Sequence, residues 1–224
     1  MIPGFLLNQI EDPLRSAIEK RPERHILFLD LETEGLSREK NGITVLGTFA
    51  EGRYRAFVSD INLDRGPAYL SSYPVWVTFG GTHFDLPFLR KHFPHLKLPE
   101  LHIDLKFLFR SLGFKGGLKK LELRFGLVRE TRGLTGYDAV RLWQRWKKQR
   151  DRQALRTLLL YNREDVENLK PLLEIAQRLF ELQAAEALSP LYSEEGLPKR
   201  DEFFSGPRPF TLGMGLSYGL IKLK

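Results

Sequence analysis

The spacing of apolar residues changes along the chain, and each change marks a different kind of element. Near the N-terminus Ile10, Leu14 and Ile18 recur at helical spacing with charges between them, which predicts a short helix in an arm spanning residues 1–24. From His25 the pattern changes to HILFLDL, an apolar run of strand length, followed by ITVLGTFAEG and RYRAFVSDI, which read as two strands joined near Gly52. After a short segment around Ala68 to Ser72, VWVTFGG predicts a fourth strand ending in glycines. DLPFLRKHF then reads as a helix with Pro87 in its first turn, and LHIDL as a fifth strand. Beyond it the spacing is helical at Leu105 to Ser111, Gly117 to Phe125, Asp138 to Gln149 and from Arg152 to about Ala187, a stretch that Pro171 should break or kink.

Three leading strands followed by alternating strands and helices predict an α/β domain over residues 25–188, with a mixed central sheet and helices on its faces. The leading strands, joined by short connections, should pair antiparallel. From Ser189 the composition shifts to Pro and Gly in SGPRPF and TLGMGLSYGLIKLK, so residues 189–224 read as an extension, a loop with room for a final strand. Its aromatics Phe203, Phe204, Phe210 and Tyr218 would either pack the extension onto the domain or bind a partner.

At 224 residues and 42% hydrophobic content the chain can bury one sizeable core. Lys and Arg number 35 against 28 Asp and Glu, a net charge of +7 that favours a polyanionic partner such as nucleic acid. There is no cysteine, which excludes disulfides, thiolate metal sites and a cysteine nucleophile. No basic leader with a long apolar run opens the sequence and no apolar run of about 20 residues exists, so a soluble, cytoplasmic protein without membrane contact is expected.

The candidate chemistry sits in three short stretches. In FLDLETEGL, Asp30 and Glu32 are two apart in a strand and so project from one face. The bland alternative is that Glu32 and Thr33 begin a turn toward Gly35 while Asp30 caps a neighbour. In HFDLPFL, Asp85 either joins the other carboxylates or simply caps the helix that follows, and a carboxylate has lone pairs enough for both. In YNREDVENL, Tyr161 and Asp165 share one helix face a turn apart, either at a site or as an interfacial tyrosine beside an exposed aspartate. Clustered carboxylates near apolar surface call for compensation, which hard divalent cations such as Mg²⁺ or Mn²⁺ supply through oxygen ligands.

Taken in order, DLETEGL, FGGTHFDLPFL and YNREDVENL resemble the three motifs of the DEDDy branch of the DnaQ-like 3′–5′ exonuclease superfamily. More narrowly, LHIDL, GLKKLELRFGL, TGYDAVRLW and LLLYNREDVENL resemble the YprB-type RNase H-like domain over roughly Ile26 to Ile175. The resemblance implies an RNase H-like fold and two divalent cations, Mg²⁺ or Mn²⁺, held by Asp30, Glu32, Asp85 and Asp165, with Tyr161 beside the hydrolytic water. It implies a 3′–5′ exonuclease acting at the 3′ end of single-stranded DNA or RNA. Thr33, His83 and Phe84, next to these motifs, become candidate substrate contacts. The sequence departs from the family at Gly80-Gly81, where Asn-Gly is frequent, and so lacks an amide that could hydrogen-bond substrate. Asp104 falls in the family's HxDL segment and reads as a structural strand-end aspartate.

Two basic stretches, Lys115, Lys119, Lys120, Arg124, Arg129 and Arg132, then Arg141, Arg145, Lys147, Lys148, Arg150 and Arg152, either follow a phosphate backbone or are solvated helix faces. Trp143 and Trp146 are expected in a buried helix face. Competing functions are a structure-specific endonuclease with the same site and a non-catalytic nucleic-acid scaffold. Intact acidic and tyrosine positions weigh against the latter, because binding a polyanion does not select clustered negative charge.

Overall fold

Residues 4–9 and 11–188 are described by the structure, a computed structural model. The strands are β1 (Ile26–Thr33), β2 (Ile43–Ala50), β3 (Arg53–Val58), β4 (Val75–Thr78) and β5 (Leu101–Asp104), in the sheet order β3-β2-β1-β4-β5. The first three pair antiparallel, while β4 joins β1 and β5 joins β4 in parallel, the mixed sheet that the sequence predicts. Glu51 and Gly52, with φ of 52° and 73°, form the two-residue turn between β2 and β3. Left-handed backbone at both positions lets the turn follow the right-handed twist of the strands it joins.

Alternation along β1 divides the molecule. Ile26 and Phe28 face one core with Val75 and Val77, covered by α5 (Leu105–Ser111) and α9 (Leu169–Leu188). Leu27, Leu29 and Leu31 face the other core with Trp76, under α3 (Gly66–Leu70) and α4 (Asp85–His92). A third cluster seats α7 (Gly136–Gln149) and α8 (Arg152–Glu167) on β2 and β3 through Val45, Val58, Trp143, Leu158 and Tyr161. Trp143 is buried and Trp146 half-buried against this cluster, in keeping with the helix-face reading. Leu6 of α1 (Gly4–Leu7) and Ile18 of α2 (Asp12–Lys20) enter the first core. The short helix α6 (Leu118–Arg124) buries Leu121 in that core as well.

One boundary differs from expectation. The long helical stretch breaks at Asn168, between α8 and α9, and Pro171 sits in the first turn of α9. A proline there costs no hydrogen bond, because the first N–H groups of a helix have no intrahelical acceptor. Ile10 and the 189–224 extension, with Phe203, Phe204, Phe210 and Tyr218, lie outside the described residues. Among the described residues no helix is long and apolar enough to cross a membrane.

Trp76 is fully buried and donates its indole N–H to the Leu70 and Tyr73 carbonyls at 3.2 and 3.0 Å. Trp76→Ala is expected to destabilise the protein by about 3–5 kcal/mol, to be read from urea unfolding midpoints.

Candidate functional site

The last residues of β1 carry the first carboxylates. Asp30 and Glu32 continue the row of Ile26 and Phe28, so they emerge where the apolar floor of that face ends. Both lie within the strand, which removes the turn reading. Opposite them on β2 stand Gly47, paired with Asp30, and Val45, paired with Glu32. The missing side chain at Gly47 admits Asn162 of α8, and a Cβ there would overlap the Asn162 amide oxygen. Asn162 is fully buried, and its Nδ2 donates to Asp30 Oδ2 at 3.1 Å and reaches Glu32 Oε1 at 3.5 Å. Its oxygen accepts from the Tyr54 hydroxyl at 2.9 Å, which fixes the amide with its donors toward the acids.

Asp85 arrives from the other side of β1. The last β1–β4 pair is Phe28–Val77, and beyond it the Leu31 N–H donates to Asp85 Oδ1 at 3.0 Å. Phe84 occupies the N-cap of α4 and Asp85 is the first helical residue, and its carboxylate braces β1. The preceding loop is held by Asp104, which accepts from the N–H groups of Gly80 at 2.7 Å, Thr82 at 3.0 Å and Lys106 at 3.1 Å. That is the structural role expected of it. Gly80 has a φ of 79°, and a Cβ at Gly81 would stand 2.8 Å from Asp85 Oδ2. Glycine at both positions lets the loop bring Asp85 against β1.

Helix α8 supplies the rest. Asp165 and Tyr161 are 7% and 4% exposed, which excludes the reading of an exposed aspartate beside an interfacial ring. Asp165 Oδ1 is 2.5 Å from Arg129 Nη1, and Arg129 also binds Glu122 through two contacts of 2.9 and 2.8 Å. Arg129 is itself buried, with its Nη2 donating to the Tyr161 carbonyl at 3.3 Å. Glu164 lies near Arg129 Nε and accepts from the Glu130 N–H and from Thr131, anchoring the loop that carries the arginine. Lys119 donates to the Tyr161 hydroxyl at 2.6 Å and to the Leu134 carbonyl at 2.7 Å.

One oxygen from each of Asp30, Glu32 and Asp165 lies within 4.8 Å of the other two. Burial, then the charges of Asp85, Asp165 and Glu32, raise the Asp30 pKa well above the ordinary carboxylate range, although an edge of the residue remains accessible. Burial and Asp165 do the same to Glu32, against the Asn162 hydrogen bond and Lys119. Burial pushes Asp85 up to about 7 despite the Leu31 N–H. Asp165 rises to about 6, also through burial, with Arg129 opposing. Crowded carboxylates held away from water fit a hard divalent cation, which takes oxygen ligands and offsets their repulsion. Asp30, Glu32 and Asp165 would hold it, with Asp85 beside Asp30.

The other candidate contacts flank these acids in the chain. Thr33 is buried and spends its hydroxyl on the Gly35 carbonyl at 2.7 Å. Phe84 is half-buried against Phe88, and His83 is exposed with its ring edge-on to Phe107. The basic stretches need a correction, since Arg129 and Lys119 turn inward as neither solvated charges nor an outer phosphate track. Within the second stretch Arg145 pairs with Asp151 and Lys147 with Asp60. Asn162, Lys119, Arg129 and Glu122 are site residues that sequence reasoning missed. The notable clue is Glu122, a lone acid at helical spacing from apolar Leu118 and Phe125.

Two outcomes follow from this packing. Gly47→Ala is expected to cost about 1–3 kcal/mol in thermal unfolding, because the methyl must displace Asn162 from behind Asp30. The metal-free protein holds protons on Asp85 and Asp165 at pH values where the unfolded chain, with ordinary values of about 3.9, has released them. The native state therefore binds more protons between about pH 4 and 7, and this cluster's contribution to stability falls as pH rises through that window. A bound cation favours the ionised forms and reverses the trend. Melting temperatures in EDTA and in Mg²⁺ should thus differ more at about pH 8 than at about pH 5; an equal gain at both would count against metal binding here.

Comparison with known proteins places this arrangement. A sequence model of the RNase H superfamily matches residues 27–177. A search of curated proteins finds no match. Similar solved structures include Escherichia coli RNase D, 17% identical, with 82% of this chain and 47% of that chain covered at a TM-score of 0.49. Brucella melitensis NrnC is 16% identical over 81% of this chain and 94% of its own, with a TM-score of 0.48. The family B DNA polymerase of the archaeon Pyrobaculum calidifontis is 16% identical, covering 74% of this chain and 24% of the polymerase at 0.49. The chain thus spans about a quarter of the polymerase and less than half of RNase D, and with scores below 0.5 the assignment rests on the sequence model. That match runs from β1 into α9 and takes in all of the sheet but Ile26, with every acidic residue of the site: the chain belongs to the RNase H superfamily.

Proposed function

We propose that the chain is a DEDDy-type 3′–5′ exonuclease that hydrolyses phosphodiester bonds of single-stranded nucleic acid with two divalent cations, Mg²⁺ or Mn²⁺. The observation that carries this reading is the convergence of Asp30, Glu32 and Asp165 oxygens within 4.8 Å, with Asp85 held against the same strand by the Leu31 N–H. A phosphate ester repels such a cluster, so its usefulness to a nuclease depends on cations between the two. Bound there, divalent cations supply Lewis-acid stabilisation of phosphate charge and lower the pKa of water. The 3′–5′ polarity follows from the likeness of the three motifs to the DEDDy exonucleases.

The chain's own groups have separable tasks. Asp30, in the centre of the carboxylates and backed by Asn162, fixes the position of the ligand set. Asp85 ties that set to the backbone of β1. Burial and the carboxylates raise the Tyr161 pKa above its ordinary value, so the phenol remains neutral and orients water through its hydroxyl instead of acting as a base. The net charge of +7 would favour approach of the polyanion.

The test uses 5′-labelled single-stranded DNA and RNA with Mn²⁺ or Mg²⁺ against EDTA. Ladders that shorten from the 3′ end, reduced roughly 10³-fold in Asp30→Asn, are expected from the loss of several kcal/mol of transition-state stabilisation. Cleavage of a circular strand would replace the exonuclease reading with an endonuclease one, and equal turnover by Asp30→Asn would exclude this site.

A further inference from the structure

Resting on the nuclease reading, we propose that Lys119 is a positioning residue for the reaction, acting through the hydroxyl of Tyr161. Lys119 is the second residue of α6, which starts from Gly117. On the same segment Lys115 and Lys120 are exposed, but Lys119 is half-buried with its ammonium over the Tyr161 ring, 4.1 Å from the centroid. Two of its three N–H groups have named acceptors, the Leu134 carbonyl at 2.7 Å and Tyr161 Oη at 2.6 Å. The backbone carbonyl fixes the ammonium, and the ammonium in turn fixes the phenol.

The direction of the second bond decides its consequence. An ammonium has no lone pair and can only donate, so Tyr161 Oη accepts and must send its own proton elsewhere. The hydroxyl is thereby committed as a donor to a third group, the condition for orienting an attacking oxygen. Without Lys119 the hydroxyl would be free to rotate and donate to Leu134 or to a neighbouring carboxylate. Placement of a cation here is costly, since burial opposes the charged form of Lys119, while Asp165 and Glu32 favour it. Arg129 already forms the ion pair with Asp165 and donates to the Tyr161 carbonyl. The group that depends on Lys119 for a hydrogen bond is the phenol oxygen.

The experiment is a double-mutant cycle with Lys119→Met and Tyr161→Phe, together with Lys119→Arg, on the full chain with a single-stranded substrate. Lys119→Met is expected to lower kcat on the order of tenfold with little change in KM, the rate equivalent of one charge-assisted hydrogen bond. In the Tyr161→Phe background the same substitution should have a much smaller effect, left to its charge on Glu32 and Asp165, and Lys119→Arg should restore much of the loss. Melting temperatures in EDTA should be non-additive for the same pair, which reads the contact without reference to activity. Additive losses in kcat, or a change confined to KM, would overturn the assignment while leaving an active nuclease. Additive melting temperatures would overturn the contact itself. A parent protein that cleaves nothing, with a coupled pair in the melting data, would overturn the nuclease reading and the catalytic role with it.

Discussion

Burial of four carboxylates at one place, with repulsion added at Asp30 and Glu32, is the constraint around which the rest of the site is organised. Asp30, Glu32, Asp85 and Asp165 all have pKa values above the ordinary range, with burial as the largest cause in each. Such a group is unstable as an ionised set unless positive charge enters. The protein supplies some of that charge itself. Arg129 stands against Asp165, and Lys119 favours the ionised forms of Glu32 and Asp165. These cations approach from one side, through α6 and the loop after it. Asp30 and Asp85 have amide donors, from Asn162 and Leu31, and no ion-pair partner among the described residues. A divalent cation would complete the charge balance at the acids with which the chain's own cations form no ion pair.

The fold serves this arrangement by bringing three chain ends of different origin to one place. The end of β1 presents two acids because a strand alternates faces, and the sheet stops pairing on the β4 side at Phe28. The loop after β4 is pinned by the three amides that Asp104 collects, so Asp85 reaches the unpaired edge. Helix α8 crosses the same face over Gly47, and the absent side chain sets how close Asn162, Tyr161 and Asp165 come. A buried Glu122–Arg129 pair ties α6 to the loop after it, and Arg129 reaches α8 through Asp165 and the Tyr161 carbonyl. Removing one partner of such a pair leaves an uncompensated charge, so it constrains geometry more surely than it adds stability.

Much of this was legible in the chain. All five strands fall in the segments read as strands, from apolar runs or from apolar residues alternating with polar ones, and the helices from Leu105 onward fall close to their predicted limits. The acidic positions were legible because a carboxylate at the end of an apolar strand conflicts with its surroundings. What remained hidden depends on contacts across large sequence separations. Gly47 looks like an ordinary strand glycine until Asn162 is seen against it. Arg129 and Lys119 read as surface charge because the sequence gives no hint that α6 folds toward Asp165. The helix break was misplaced for a local reason: proline marks a nearby start as readily as a stop, and here Asn168 ends one helix three residues before Pro171.

The central claim is that Asp30, Glu32 and Asp165 form a divalent-cation site. Calorimetric titration of the purified protein with Mn²⁺ in buffers of different ionisation enthalpy tests it most directly. The account predicts saturable binding accompanied by proton release, since acids that hold protons in the metal-free state must surrender them, and loss of that binding in Asp30→Asn. Binding that is absent from the parent, or that persists unchanged in Asp30→Asn without proton release, would contradict it.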